Sequence, residues 1–252
     1  MTRDIVRWRS PRLLGREITV VRYGVSGAPL LLFPTAGGDA EEPERFHLIE
    51  AAGRFLADQR LKIYCVDSVS GRAWLHECED LAEAAAAQQR FDACLVEEVV
   101  PHVRRDSGDY GGRLLTAGAS IGAFNALAAL CRHPDVFRTA ICMSGTYDMR
   151  RFADGEPNAD YEQASPLRFV PRLREGEHLA ALRGCFVLLA HGKGSYEDPA
   201  ESWRAADVLG ARGIPNRVDE WGEEWRHDWI TWRAMLPVYL GEFLPPRGEA
   251  VR

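Results

Sequence analysis

The spacing of apolar and polar residues switches repeatedly between a strand period and a helix period along the chain. Short apolar runs predict strands at about residues 5–9, 17–23, 29–34, 62–66, 113–117, 139–143, 184–190 and 216–220. Longer segments with an amphipathic period predict helices at about residues 44–59, 81–104, 123–130, 199–212 and 229–243. Strands that alternate with helices are typical of a mostly parallel sheet covered on both faces.

The first two predicted strands differ from the others because only a short turn region, Ser10 to Gly15, joins them. Such a connection predicts an antiparallel pair. We therefore predict an α/β fold whose mostly parallel central sheet has antiparallel N-terminal strands and helices on both faces. In such sheets the chemistry lies at the carboxyl ends of the strands. A polar, irregular segment at about residues 149–178 is long enough to form a small lid-like insertion.

Composition limits the choice of architecture and of function. The 252 residues, 46% of them hydrophobic, can bury one large core, so we expect a single domain over residues 1–252. The net charge is −6, from 31 basic and 37 acidic residues, and the basic residues are scattered singly or in pairs, which argues against a nucleic-acid partner. The charged start of the chain and the lack of a long apolar stretch predict a cytoplasmic protein without a membrane partner.

Cysteine usage gives no sign of a metal or of a disulfide framework. The six cysteines are widely spaced, none forms a C-x-x-C pair, and several lie in apolar runs. This pattern predicts reduced, buried thiols and no structural metal site.

A serine in a glycine-flanked turn is the strongest candidate for catalysis. Residues Gly118 to Gly122 follow an apolar strand and precede an Ala- and Leu-rich helix, with Ser120 at the turn. Flanking glycines remove the Cβ atoms that would collide with the neighbouring strand and helix, and the strained turn exposes the serine Oγ. Ser120 is therefore predicted to be a nucleophile, which requires a base and an acid.

Among the seven histidines, His227 is the predicted base because it lies in a loop between the last strand and the last helix. A histidine there can reach a serine at the carboxyl ends of the strands, in the chain order serine, acid, histidine. His47 and His102 lie in helical patterns, and His133 lies at a helix stop, so these three are interpreted as structural.

The acid is predicted on the loop after the strand that ends at Ala190. Glu197 is the first choice because it comes late in that loop, just before the helix. Asp198 precedes Pro199 and is interpreted as a helix N-cap, with Glu201 closing a capping box. Asp148, on the loop after the preceding strand, is a fourth candidate. The residues alone leave Glu197, Asp198, Glu201 and Asp148 open.

The chain resembles the esterase branch of the α/β-hydrolases, which includes S-formylglutathione hydrolases, feruloyl esterases and mycolyltransferases. The similarity covers nearly the whole length and is carried by Phe33–Asp39, Gly118–Gly122, Ser144–Asp148, Gly192–Asp198 and His227–Trp232. The last of these segments is similar to a His-x-Trp-x-x-Trp signature of the family. In the resembled families the acid lies either on the strand-end loop or on the following helix, so Glu197 and Glu201 both remain open.

The resemblance and the position of a helix start together predict an oxyanion hole. Its donors would be the backbone N–H of Ile121 and, from the loop at 35–38, that of Ala36. The expected function is a cofactor-free serine carboxylesterase that hydrolyses a small-molecule ester through an acyl-enzyme. An acyltransferase with the same residues and a non-catalytic binding protein are the alternatives. The oligomeric state, including a homo-oligomer, stays open.

Overall fold

The computed structural model describes residues 2–67, 69–78, 80–108 and 112–244. Residue 1 and residues 245–252, the two ends of the predicted single domain, lie outside the described residues. The strands of the described part are β1 Arg3–Arg9, β2 Glu17–Tyr23, β3 Ala28–Phe33, β4 Leu61–Val66, β5 Leu114–Ala119, β6 Phe137–Met143, β7 Phe186–His191 and β8 Asn216–Glu220.

All these strands form one sheet in the order β1-β2-β4-β3-β5-β6-β7-β8. β1 pairs with β2, and β2 with β4, in antiparallel fashion. The remaining neighbours are parallel. The predicted α/β class, with its mostly parallel sheet and antiparallel N-terminal strands, is thus confirmed. Consecutive parallel strands from β5 to β8 bring their carboxyl ends, and the loops that follow, to one edge of the sheet.

Helices cover both faces of the sheet. They are α1 Glu42–Arg45, α2 Leu48–Ala51, α3 Gly53–Ala57, α4 Val69–Arg72, α5 Leu81–Cys94, α6 Val100–Ser107, α7 Ile121–Arg132, α8 Ala159–Ala164, α9 Pro166–Phe169, α10 Glu177–Arg183, α11 Pro199–Gly210 and α12 Trp229–Phe243. π-Helical turns follow α4 at Ala73–Glu77 and join α5 to α6 at Leu95–Val99, and 3-10 turns occupy Met149–Arg151 and Val170–Arg172.

Two hydrophobic cores lie on opposite faces of the sheet. Alternate residues of β3 show the division, since Leu31 and Phe33 belong to the core under α5 and α7. Leu30 and Leu32 belong to the core under α2, α3 and α12. Because both faces are covered, every residue of β3 is buried, which explains its continuous apolar sequence.

The single helix predicted over residues 44–59 is wrong, because this segment forms the three short helices α1, α2 and α3. His47 stands between the first two with a left-handed φ of 61°, which an α-helix cannot accommodate. The helix predicted over residues 81–104 is correct in place but contains the π-helical turn at Leu95–Val99.

The segment predicted to be irregular at 149–178 contains α8 and α9 and the start of α10. Tyr161 and Val170 from this segment are buried in the core on the α7 side. The segment therefore packs as part of the molecule's core, and its role as a lid stays a prediction.

Candidate active site

The turn between β5 and α7 places Ser120 in a strained backbone conformation. Its φ of 56° and ψ of −123° lie outside the regions that a serine normally occupies. A Cβ on Gly118 would lie 2.2 Å from the Gly122 carbonyl, and a Cβ on Gly122 would lie 2.6 Å from the Pro34 oxygen. Only glycine fits at both positions, which is the reason for the Gly-x-Ser-x-Gly spacing.

Backbone hydrogen bonds fix Ser120 against the next strand. Its N–H donates to the Met143 carbonyl at 3.0 Å, and its carbonyl accepts from the Thr146 N–H at 3.4 Å. The residue is partly exposed. The turn therefore presents the serine at the carboxyl end of the sheet, beside the loop that follows β6.

Ser144, the first residue after β6, connects that loop to the predicted acid. Its Oγ donates to Glu197 Oε1 at 2.6 Å and accepts a hydrogen bond from Trp232 Nε1 at 3.0 Å. Its N–H donates to the Ala190 carbonyl at the end of β7. The Glu197 side chain is only 2% exposed, so the Ser144 hydroxyl holds a carboxylate that is almost excluded from water.

His227 lies next to this carboxylate. Its Nδ1 is 3.7 Å from Glu197 Oε2, and its backbone N–H donates to the Ser195 carbonyl at 3.1 Å. Its ring packs edge-on against Trp232, with a centroid separation of 5.2 Å. The histidine ring thus stands between a buried carboxylate and an aromatic wall, on the loop that follows β8.

Asp228, which follows His227, is the N-cap residue of α12. Its side chain accepts hydrogen bonds from the N–H groups of Ile230 and Thr231 and so caps the start of α12. This cap fixes the exit of the histidine loop into the helix.

The other candidate acids are engaged elsewhere. Asp148 pairs with Arg150, whose hydrogen bonds lower the pKa of the carboxyl group below its usual value. Asp198 is exposed and forms an ion pair with Arg151 at 3.4 Å. Glu201 is 2% exposed and accepts the N–H groups of Tyr147 and Asp148, at 2.6 and 3.1 Å.

The capping box predicted for Asp198 and Glu201 at the start of α11 is wrong, because its side-chain hydrogen bonds do not form among the described residues. Asp198 occupies the N-cap position and Pro199 begins the helix, but the Asp198 side chain makes no capping hydrogen bond among the described residues. Glu201 turns instead toward the loop after β6, because two buried backbone N–H groups there need an acceptor.

The loop after β3 is organised around a buried carboxylate. Glu42 accepts the N–H and the hydroxyl of Thr35 at 2.7 and 2.8 Å. Burial raises the pKa of this carboxyl group, although the Thr35 contacts oppose the shift. A Cβ on Gly38 would lie 2.2 Å from the Glu42 carboxylate, so a side chain there would push the carboxylate away from its present position. Thr35 is thereby fixed, and Ala36 follows it.

Two backbone amides, those of Ala36 and Ile121, are predicted to form an oxyanion hole. Among the described residues, neither the Ala36 N–H nor the Ile121 N–H donates a hydrogen bond within the protein. Ile121 is the first residue of α7, so its amide lies at the positive end of that helix.

His191, at the end of β7, is a buried group that sequence reasoning did not single out. It is 1% exposed, and neither ring nitrogen has a hydrogen-bond partner among the described residues. Its Nε2 lies 3.6 Å from Glu220 Oε1. Burial lowers the pKa of the imidazole, although Glu220 and Glu197 oppose the shift. A single histidine at a strand end gives no signal of burial in the sequence.

A search of the described residues finds no cluster of three or more His, Cys, Asp or Glu side chains that could hold a metal ion. In the same part of the chain no helix has the length and apolarity that a membrane span requires.

The family to which the chain belongs follows from its sequence. Residues 67–243, which include the elbow and the His227 loop, match the protein family described as "Putative esterase". The chain belongs to this family. Membership agrees with the predicted branch and makes the chain a serine hydrolase of the esterase type. No functionally curated protein matches the sequence significantly.

Several solved structures share the fold of this chain. A ferulic acid esterase has 16% sequence identity and a TM-score of 0.71, over 95% of each chain. An S-formylglutathione hydrolase from Agrobacterium tumefaciens has 12% identity and a TM-score of 0.73, over 95% of this chain and 93% of the other. A fluorophosphonate-binding serine hydrolase from Staphylococcus aureus has 16% identity and a TM-score of 0.65, over 96% and 97%. At these identities the likeness establishes the α/β-hydrolase fold.

Proposed function

We propose that this protein is a carboxylesterase with Ser120 as nucleophile, His227 as base and Glu197 as the acid that orients the base. The observation that carries the proposal is the Glu197 carboxylate, 2% exposed and 3.7 Å from His227 Nδ1. A buried carboxylate beside a histidine fixes the tautomer of the ring and stabilises the imidazolium that forms during catalysis. Ser120 stands at the same edge of the sheet, on the strand-to-helix turn.

Glu197 is favoured over the three other acids by its contacts. The carboxylates of Asp148 and Asp198 pair with Arg150 and Arg151, and Glu201 holds two backbone N–H groups. Among these four acids, only Glu197 has a carboxylate oxygen within 4 Å of a His227 ring nitrogen.

The proposed reaction is acyl transfer to Ser120 and then to water. His227 takes the Ser120 proton as the serine oxygen attacks the ester carbonyl, and the proton then passes to the leaving alcohol. Water then attacks the acyl-enzyme in the same way, so the carboxylic acid product is released and the Ser120 hydroxyl is restored. Each step keeps the negative charge of Glu197 beside the imidazolium.

The amides of Ile121 and Ala36 are proposed to bind the oxyanion of each tetrahedral intermediate. Both N–H groups lack internal acceptors in the described part of the protein, so they are available to a substrate oxygen. Loss of one such donor typically raises the barrier by about 2.7–4 kcal/mol. The Glu42 contacts with Thr35 hold the Ala36 loop in place before the substrate arrives.

Hydrolysis of p-nitrophenyl esters of increasing acyl length tests this proposal. We expect Ser120→Ala to lose activity by about 10⁴-fold or more, and Glu197→Gln to lose it by at least about 10²-fold. Asp198→Asn is the matched control, since it removes a carboxylate from the adjacent residue, and it should keep the wild-type rate. A fluorophosphonate probe should label the wild type and not Ser120→Ala.

The proposal fails if Ser120→Ala hydrolyses the esters as fast as the wild type. If Ser120 proves essential but Glu197→Gln keeps the full rate, the acid assignment alone is wrong. Asp148→Asn and Glu201→Gln then identify the acid.

A further inference from the structure

A cavity of about 360 Å³ lies beside the loop that follows β6. Three arginines line it, Arg150, Arg168 and Arg204, whereas Asp148 is its one acidic lining residue. In a protein with a net charge of −6, such a concentration of arginine needs an explanation.

Two of the arginines each pair with one carboxylate. Arg150 pairs with Asp148 through its Nε at 2.8 Å and through a second contact. Arg204 pairs with the buried Glu201. A guanidinium carries five N–H groups, so donors remain after a carboxylate has been bound. About half of each arginine side chain stays exposed, which keeps those donors accessible.

The third arginine shares its partner. Arg168 donates to Glu162 Oε1 through Nε at 2.9 Å, and Arg172 contacts the other oxygen of the same carboxylate. Glu162 therefore neutralises one of two guanidinium groups. Asp148 balances Arg150, and Glu201 balances Arg204. The four arginines and three carboxylates around the cavity therefore carry one net positive charge, which an anion can balance.

The cavity is close to the proposed nucleophile. The Thr146 N–H donates to the Ser120 carbonyl at 3.4 Å, and Asp148 on the cavity wall comes two residues later. Two residues span at most about 7 Å, so one loop contacts Ser120 at Thr146 and forms the cavity wall at Asp148. Leu167 and Val208 supply an apolar wall that suits methylene groups.

We propose that this cavity binds a carboxylate carried by the substrate, so that the preferred esters are anionic. This inference rests on the proposed esterase function. Arginine suits the role because its planar fork matches a carboxylate and because its charge persists at every physiological pH. Arg168 is the anchor, since Glu162 keeps Arg172 as a partner when Arg168 turns to the ligand.

Paired substrates of equal length test the inference. On the acyl side, mono-p-nitrophenyl glutarate is compared with p-nitrophenyl methyl glutarate. On the alcohol side, 4-carboxyphenyl butyrate is compared with its methyl ester. We expect the anionic member of at least one pair to have the higher kcat/KM, and the preference to weaken as salt rises.

Substitution of the anchor should remove the preference. In Arg168→Gln the ratio of anionic to neutral kcat/KM should fall about tenfold, which is the size of a lost charge-assisted hydrogen bond at a half-exposed site. Arg151→Gln is the matched control, because it removes one positive charge from the residue next to Arg150, where Arg151 pairs with Asp198, and Arg151 does not line the cavity. Its ratio should change by less than about twofold.

A second pair of variants tests the same cavity in case Arg168→Gln does not fold. Leu167→Glu places a carboxylate in the cavity and should abolish the preference, whereas the neutral Leu167→Gln should keep it. Binding is measured apart from catalysis as the rise in unfolding temperature of Ser120→Ala with added glutarate. That rise should vanish when Arg168→Gln is combined with it.

Equal kcat/KM within both substrate pairs overturns the inference while the esterase proposal stands. An unchanged ratio in both Arg168→Gln and Leu167→Glu overturns it as well. Failure of the esterase proposal has a separate sign, since Ser120→Ala would then hydrolyse all four substrates at the wild-type rate.

Discussion

Ser144 joins three parts of the proposed site through one hydroxyl and one amide. The hydroxyl lies between the Glu197 carboxylate and the Trp232 indole, and the amide is bonded to the end of β7. The residue has a left-handed φ of 45°, which aims the side chain at the acid instead of along the strand. One strained residue thus positions the acid.

Removal of the Ser144 hydroxyl should weaken catalysis without abolishing it. We expect Ser144→Ala to lower kcat by about 10- to 100-fold, since a hydrogen bond to a charged group contributes about 1.5–3 kcal/mol. Steady-state kinetics on a p-nitrophenyl ester measures the effect. Ser144→Gly serves as the control because glycine tolerates the positive φ. Equal losses in both variants assign the effect to the hydroxyl, whereas wild-type rates in both would contradict the role.

His191 should make the fold sensitive to mild acid. Its pKa is lowered in the folded state by burial, so the unfolded chain binds a proton that the folded chain resists. Stability is therefore kept above the unfolded value of about 6.5 and is lost as the pH falls through the folded pKa. The free energy of unfolding falls by at most about 1.4 kcal/mol per pH unit as this one group takes up its proton.

Urea unfolding of wild type and His191→Phe at pH 7 and pH 5 measures this effect. Phenylalanine has a similar size and cannot titrate, and the ring nitrogens that it removes have no partner among the described residues. The free energy of unfolding of the variant should change less between the two pH values. Parallel changes in both proteins would refute the assignment.

The sequence identified Ser120, His227 and Glu197 as candidates because glycine spacing and loop order leave a local signal. Ser144 and His191 left none, because their surroundings come from neighbouring strands and loops that are distant in the chain, Glu197 for Ser144 and Glu220 for His191. The contacts of Glu201 are also non-local, and its local pattern predicted a capping box that does not form.

At the scale of elements, the elbow depends on the close approach of α7 to the end of β3. The missing side chain of Gly122 lets the helix start lie against the carbonyls of Phe33 and Pro34. These residues lead into the loop that carries Ala36. The nucleophile turn therefore packs against the residues that lead to the second proposed oxyanion donor.

Gly122→Ala should destabilise the fold and also lower activity. A Cβ there would lie 2.6 and 2.7 Å from two backbone oxygens, which cannot move independently of β3. We expect a loss of about 1–3 kcal/mol in the free energy of unfolding, measured by urea denaturation. Gly53→Ala, at the start of α3, is the control because a Cβ there meets no atom within 4 Å. A Gly122→Ala protein as stable as Gly53→Ala would contradict the packing argument.

Element positions were predictable where turn residues bound a segment rich in apolar residues, as in β3 and α12. The segment from α1 to α3 was not, because the left-handed His47 interrupts a pattern that otherwise continues across it. The pattern of apolar residues predicts which side chains are buried, but it does not predict where a single left-handed residue interrupts a helix.

At the scale of the whole molecule, the residues of the proposed site all follow strands in one half of the sheet. Ser120, Ser144, Glu197 and His227 follow four consecutive neighbouring strands, β5, β6, β7 and β8. The antiparallel strands β1 and β2 lie at the opposite edge. Strand order therefore gathers the proposed site at one end of the molecule, which agrees with the prediction from the alternation of strands and helices.

The reactivity of the cysteine thiols tests whether the molecule is packed as described. All six cysteines are free, and Cys78 alone is partly exposed. Burial raises the pKa of Cys142 to about 12, so its thiol stays protonated and unreactive. Titration with a thiol reagent should find at most one reactive group in the native protein and six in denaturant. Two or more fast-reacting thiols in the native state would contradict the packing.

The packing of Trp232 against His227 places an intrinsic fluorophore beside the proposed base. An imidazolium quenches an excited indole by accepting an electron from it, and a ring separation of 5.2 Å permits this transfer. Tryptophan emission can therefore report the charge of His227 without any substrate. Trp8, which lies 5.8 Å from His102 at the other side of the molecule, forms a second such pair, and a Trp8→Phe background removes it. The contact that supports the base thus also supplies an optical signal for its protonation.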